Sequence, residues 1–142
     1  MAYAGDVTPD TCWKALQSGK DAMLVDVRTQ AEWSFVGVPD LRPLGKSPLL
    51  VEWQRYPGMG VNQSFVAELS AELRKRGASE MSPVYFLCRT GGRSRAAAEA
   101  MTAAGFSACY NVAGGFEGEA DGDQHRGTIN GWKAQNLPWF QS

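Results

Sequence analysis

Apolar positions follow two rhythms along this chain: short, nearly continuous runs alternate with longer stretches spaced by three and four. The runs at 23–27, 48–53, 83–87 and 108–112 are rich in β-branched and aromatic residues, and each predicts a buried strand. Thr8-Pro9-Asp10 predicts a helix start, with a Thr cap, Pro in the first turn and an acid near the positive end. That helix turns Trp13 and Leu16 inward and stops near Gly19. Residues 56–60 hold one Pro and two Gly, which predicts a loop. Asn62 is then placed to cap a helix carrying Phe65, Val66, Leu69 and Leu73 on one face. Arg74-Lys75-Arg76 in its last turn suit the negative end of the helix dipole, and Gly77 closes it. A third helix is expected from about 96 to 104, ended by Gly105, and a short one over 128–134 before Pro138. Strands alternating with helices imply an α/β fold, a mostly parallel sheet with helices on both faces. No repeat or linker divides residues 1–142, so a single domain is expected.

Composition narrows the classes. Hydrophobic residues make up 44% of the 142 and charged residues 20%, which is globular composition. Fourteen basic against fifteen acidic residues give a formal charge of −1, so no basic surface argues for a nucleic-acid partner. No apolar stretch approaches the ~20 residues that span a bilayer. The first six residues lack a basic segment followed by an apolar one, and no secretory leader is expected. Cys12, Cys88 and Cys109 are far apart in sequence and the chain has one His, a poor supply for zinc, and no metal or cofactor is expected. Sparse, odd-numbered cysteines favour a reducing, cytoplasmic setting. Cys12 and Cys109 sit in apolar surroundings and are expected to be small buried hydrophobes.

Cys88 is different. It follows the run at 83–87 and begins Cys88-Arg89-Thr90-Gly91-Gly92-Arg93-Ser94-Arg95, which leads into Ala96-Ala97-Ala98. A thiol is thus expected at the carboxyl end of a strand, before a two-glycine loop and a helix N-terminus. Ligands bind at such strand ends in open α/β sheets. Unpaired amides and the positive helix end stabilise an anion there, which favours the reactive thiolate. Arg89, Arg93 and Arg95 add positive charge, so a cysteine nucleophile acting on a small anionic substrate is expected. Four residues separate Cys88 from Arg93. Cysteine-dependent phosphatases need five, because a tetrahedral phosphate must fit between sulfur and guanidinium; here position 94 is Ser. The tighter loop suits a smaller group, such as a persulfide. Asp26 interrupts an apolar run, and a charge inside a strand requires a partner, an arginine or loop amides. Arg28 and Glu32 stand four apart and are expected to pair beside the site.

The loop from Cys88 to Ser94 resembles the active-site loop of the rhodanese (thiosulfate sulfurtransferase) family. Val25-Asp26-Val27-Arg28 with Glu32-Trp33 and Gly37 resembles the family's signature near the start of the domain. Asn111-Val112-Ala113-Gly114-Gly115 resembles the segment after its last strand, and Gly131-Trp132 with Leu137-Pro138 its closing tail. The likeness runs from about Asp6 to Pro138. Where the family carries a His and then Ile-Pro-Gly-Ala after the equivalent of Gly37, this chain has Val38-Pro39-Asp40-Leu41. The polar stretch 116–130 is a second departure. Four acids and two glycines between Glu117 and Asp123 are expected to make it a flexible, solvated insertion.

The resemblance implies a rhodanese-like fold with a sheet of about five strands. It implies a sulfurtransferase in which Cys88 takes sulfane sulfur from thiosulfate or a similar donor and passes it to a thiol or protein acceptor. Backbone amides from Arg89 through Thr90, Gly91 and Gly92 to Ser94 would hold the persulfide, with Arg89 and Arg93 attracting the donor. Ser94 would cap the following helix and donate to the sulfur, and Asp26, Arg28 and Glu32 would support the loop. His125, the one imidazole, has no role in such a reaction. The alternatives are a persulfide carrier that serves a partner protein and, on the loop alone, a tyrosine-phosphatase-like or arsenate-reducing enzyme.

Overall fold

Each of the four apolar runs supplies a strand of one sheet in the computed structural model, which describes residues 3–55, 58 and 60–141. In chain order the elements are β1 (Gly5–Val7), α1 (Pro9–Ser18), β2 (Met23–Asp26), α2 (Gln30–Phe35), β3 (Val38–Pro39), β4 (Leu49–Leu50), β5 (Gln54–Arg55), β6 (Gly60–Val61), α3 (Phe65–Lys75), β7 (Val84–Leu87), α4 (Gly92–Ala103), β8 (Cys109–Val112) and β9 (Trp139–Phe140). Five strands form the central sheet in the order β1-β8-β7-β2-β4, and every pairing in it is parallel. The fold is α/β with helices on both faces.

The faces follow from the period of two along each strand. Val25, Val84, Phe86 and Cys109 point to a core completed by Phe65, Leu69 and Leu73 of α3 and Ala97, Ala98 and Met101 of α4. Leu24, Tyr85, Leu87 and Val112 point the other way, against Cys12 and Leu16 of α1, Phe116 and Trp132. All four residues of β7 are buried, as befits a strand near the middle of a parallel sheet. Thr8 caps α1 as its spacing predicts, accepting from the Thr11 amide at 3.1 Å.

Three local expectations are corrected. The strand expected over 48–53 is regular only at Leu49–Leu50. The Val51 and Trp53 amides still bond the Asp26 and Val27 carbonyls, and Trp53 then leaves to stack edge-on against Phe65, 5.0 Å away. The residue at the N-cap of α3 is Ser64, whose side chain makes no capping bond; Asn62 instead accepts the Ser64 amide and donates to the Glu52 carbonyl. The segment 128–134 is a series of turns with no helix, because Gly131 takes φ +96 where the chain passes the Gly114 and Gly115 carbonyls. Past Pro138 the tail instead pairs β9 with β3, antiparallel. Tyr56, Pro57 and Met59 of the loop expected over 56–60 lie outside the described residues, and β5 and β6 flank them as an antiparallel pair. Among the described residues no helix is long and apolar enough to cross a membrane.

Candidate functional site

Strand β7 lies between β2 and β8, so the residue after it emerges at the centre of the sheet's carboxyl edge. That residue is Cys88, which is 1% exposed. The chain must reverse there to enter α4, and Gly91 makes the turn at φ +124, a conformation that side chains resist. The turn aims the Gly91 amide at the sulfur, 3.1 Å away. Helix α4 starts at Gly92, so the amides of Gly92, Arg93 and Ser94 have no partner within the helix and face the same end. Ser94 adds a hydroxyl 3.2 Å from Cys88 Sγ. Its expected capping role is corrected: Gly91 occupies the N-cap, and Ser94, two residues into the helix, turns its side chain to the sulfur. Arg89 and Thr90 are exposed at the loop's tip, and Arg89 makes no ion pair among the described residues.

One flank of the loop is built from buried charge. Asp26 Oδ1 accepts from the Arg28 amide at 3.1 Å and from Nε at 2.9 Å, while Nη2 of Arg28 bonds Asp26 Oδ2 and, at 2.7 Å, the Gly37 carbonyl. Both side chains are fully buried, and the guanidinium lies 4.2 Å from the centre of the Phe116 ring. The partner demanded by a charge inside the strand is thus Arg28. The expected pairing of Arg28 with Glu32 does not form. Thr29 is the N-cap of α2, which leaves Arg28 outside the helix and removes the spacing that would have brought the two together. Glu32 closes a capping box with Thr29 and meets Arg93 as a fork, Nη1 to Oε1 at 2.7 Å and Nη2 to Oε2 at 3.0 Å. Burial pushes the Glu32 carboxyl up, but the hydrogen bond and charge of Arg93, the Thr29 amide and the charge of Arg28 outweigh it and hold the group below its ordinary range. Arg93 therefore reaches the loop already partnered.

The other flank is a polar chain that sequence reasoning did not assemble. Ser94 Oγ stands 2.5 Å from Asn111 Oδ1, and Asn111 Nδ2 donates to Asp6 Oδ1 at 3.0 Å. Tyr3 donates to Asp6 at 2.7 Å, and Arg95 lies 3.7 Å from its other oxygen. A signal for Asn111 was present: it interrupts the apolar run 108–112 as Asp26 interrupts 23–27. Asp6 carries no such mark. A pocket of about 280 Å3 opens on this side, between Asp6, Arg95, Thr90 and Gly114.

The polar stretch 116–130 is tied to the loop rather than solvated throughout. The Phe116 amide bonds the Cys88 carbonyl at 2.8 Å, and the amides of Glu117 and Gly118 share the Arg89 carbonyl. Gly115 must be glycine, because a Cβ there would collide with the Cys88 carbonyl. Asp121 gathers the amides of Asp123 and His125 and the Thr128 hydroxyl, so the exposed tip folds on itself. Cys12 and Cys109 are buried as expected, and burial pushes both thiols up, away from reactivity.

Comparison with known proteins places this geometry. A family profile described as the STR4 middle domain matches residues 5–142. The crystal structure of Rv0390 from M. tuberculosis overlays with a TM-score of 0.88 at 49% identity, covering 99% of this chain and 100% of that one. The uncharacterized protein RP600 homolog of Rickettsia rickettsii is 37% identical over 124 residues, 87% of each chain. A protein of Oryza sativa subsp. indica named THYLAKOID RHODANESE-LIKE, chloroplastic, is 30% identical over 135 residues, which are 95% of this chain and 25% of that protein.

Proposed function

The chain belongs to the STR4 middle-domain family, and from that premise we propose that it is a rhodanese-like sulfurtransferase working through a Cys88 persulfide. The observation that carries the reading is the cradle of Cys88, with an amide at 3.1 Å, a hydroxyl at 3.2 Å and a helix N-terminus aimed at one sulfur. Cys88 as thiolate attacks the outer sulfur of a small anionic donor such as thiosulfate. The donor's S–S bond breaks, sulfite leaves with the electron pair, and the new bond joins Sγ to the sulfane sulfur. A thiophilic acceptor, a thiol or a partner protein's cysteine, then attacks the outer sulfur and Cys88 departs as thiolate. The two half-reactions share one site, so ping-pong kinetics follow. Arg89, exposed and without an ion pair among the described residues, draws the anion in; Arg93 fixes the loop through Glu32. Three free cysteines fit a reducing compartment such as the cytoplasm.

The carrier reading is the alternative: Cys88 is 1% exposed, so the acceptor must reach the outer sulfur of its persulfide, and slow release of that sulfur would make the protein a carrier rather than a turnover enzyme. The loop's four-residue spacing argues against phosphoryl or arsenate chemistry. Turnover of thiosulfate with cyanide separates these outcomes. The sulfurtransferase reading expects repeated turnover that Cys88→Ser abolishes, a carrier loads once and stops, and hydrolysis of a phosphate ester at a comparable rate would overturn both.

A further inference from the structure

Ser94 has one hydroxyl proton and two acceptors that matter. Its Oγ lies 3.2 Å from Cys88 Sγ and 2.5 Å from Asn111 Oδ1, with the Gly91 carbonyl a third neighbour at 3.1 Å. Which amide atom of Asn111 faces Ser94 is decided at the amide's far side. There Asn111 meets Asp6 at 3.0 Å, and an ionised carboxylate only accepts, so the NH2 group faces Asp6 and the carbonyl faces Ser94. Asp6 stays ionised because the hydrogen bonds of Tyr3 and Asn111 hold its carboxyl below the ordinary range. Asn111 is 3% exposed, and a buried carbonyl keeps its donor. At rest, then, the Ser94 proton lies on Asn111, and the hydroxyl turns a lone pair toward the sulfur. A lone pair suits a thiol S–H and repels a thiolate.

We propose that Asp6 and Asn111 are positioning residues that hold the Ser94 proton off the Cys88 sulfur until negative charge forms there. When it forms, rotation about the Ser94 Cβ–Oγ bond carries the proton from Asn111 Oδ1 to the sulfur. Only hydrogen bonds change. In sulfur transfer, the reading on which this use of the device rests, the hydroxyl serves Cys88 as it departs as thiolate, and Asn111 reclaims the proton once the site is neutral.

The test reads the sulfur directly and needs no sulfur donor: the rate at which iodoacetamide alkylates Cys88 at neutral pH, mapped by peptide mass. Ser94→Ala should slow it roughly tenfold, the worth of a hydrogen bond to a charged group. Asn111→Leu and Asp6→Ala should each speed it roughly threefold, because the first removes the amide carbonyl and the second lets the amide turn its NH2 group to Ser94, and either frees the hydroxyl proton for the sulfur. Ser94→Ala combined with Asn111→Leu should match Ser94→Ala alone. Asp6 is exposed, so its variant carries the test should Asn111→Leu fail to fold. Wild-type or slower alkylation in Asp6→Ala with an unchanged circular dichroism spectrum overturns the proposal, as does a double variant that differs from Ser94→Ala. A wild type that fails to turn over thiosulfate while these rates still shift would sink the sulfurtransferase reading and leave the positioning device standing.

Discussion

The two flanks of the Cys88 loop use similar residues to opposite ends. On one side Asp26 and Arg28 are fully buried, and Glu32 and Arg93 close a fork with side chains 19% exposed. Every charge there faces its opposite, and none of those side chains bonds the sulfur. On the other side Asp6 is exposed, yet through Asn111 and Ser94 its orientation reaches Sγ in three hydrogen bonds. Burial makes the first flank a frame: removing a partner strands a charge away from water, so the geometry resists change. Exposure and a single rotatable hydroxyl make the second flank adjustable. A loop that must hold one sulfur through two charge states needs both properties, and the fold supplies them from opposite edges of the same strand.

The comparison can be broken first where the frame is driest. Asp26→Ala leaves the Arg28 guanidinium buried without its carboxylate and should cost about 3–5 kcal/mol of stability in urea unfolding. A loss under about 1 kcal/mol would mean that the pair is not the frame described. Arg93→Ala should come next, losing about 1 kcal/mol of stability together with thiosulfate turnover, since the loop's tie to α2 goes with it. Arg93→Lys should restore turnover only partly, because an ammonium keeps the charge and loses the planar fork to Glu32. Full activity in Arg93→Ala would remove that flank from the mechanism.

The same fork sets a pH signature. The Glu32 carboxyl is depressed in the folded protein, so its contribution is fully present above its ordinary value of 4.5 and fades as pH falls through the lower folded value. Unfolding midpoints of wild type and Glu32→Gln should therefore differ at neutral pH and converge in acid; a gap that widened as pH fell would reverse the assigned sign. The smallest effect is expected at the remaining thiols. Cys109→Ala lies outside both flanks and should leave sulfur uptake unchanged while costing about 1 kcal/mol of packing.

Much of this was legible in the residues, and the exceptions share a cause. The strands at 23–26, 84–87 and 109–112 are marked by nearly continuous apolar runs, and the cysteine loop by its glycines and arginines. Asp26 was readable as a paired charge because burial in a strand demands a partner. Its neighbour misled: spacing alone joined Arg28 to Glu32, whereas the cap at Thr29 put Arg28 outside the helix and freed Glu32 for a residue 61 positions away. Local patterns cannot report such a contact. The flank from Asp6 through Asn111 to Ser94 spans 105 residues in its first link and depends on β1, a strand too short and polar to leave a hydrophobic trace, pairing with β8. Composition over 128–134 suits a short helix, whereas the positive φ of Gly131 is imposed by backbone passing close by.

The central claim is that one sulfur, Cys88, is set up to carry another. Intact mass after treatment with thiosulfate tests it most directly. The protein should gain the mass of a single sulfur atom, peptide mapping should place it on Cys88, and cyanide should remove it. No gain, or a gain mapped to Cys12 or Cys109, would contradict the account.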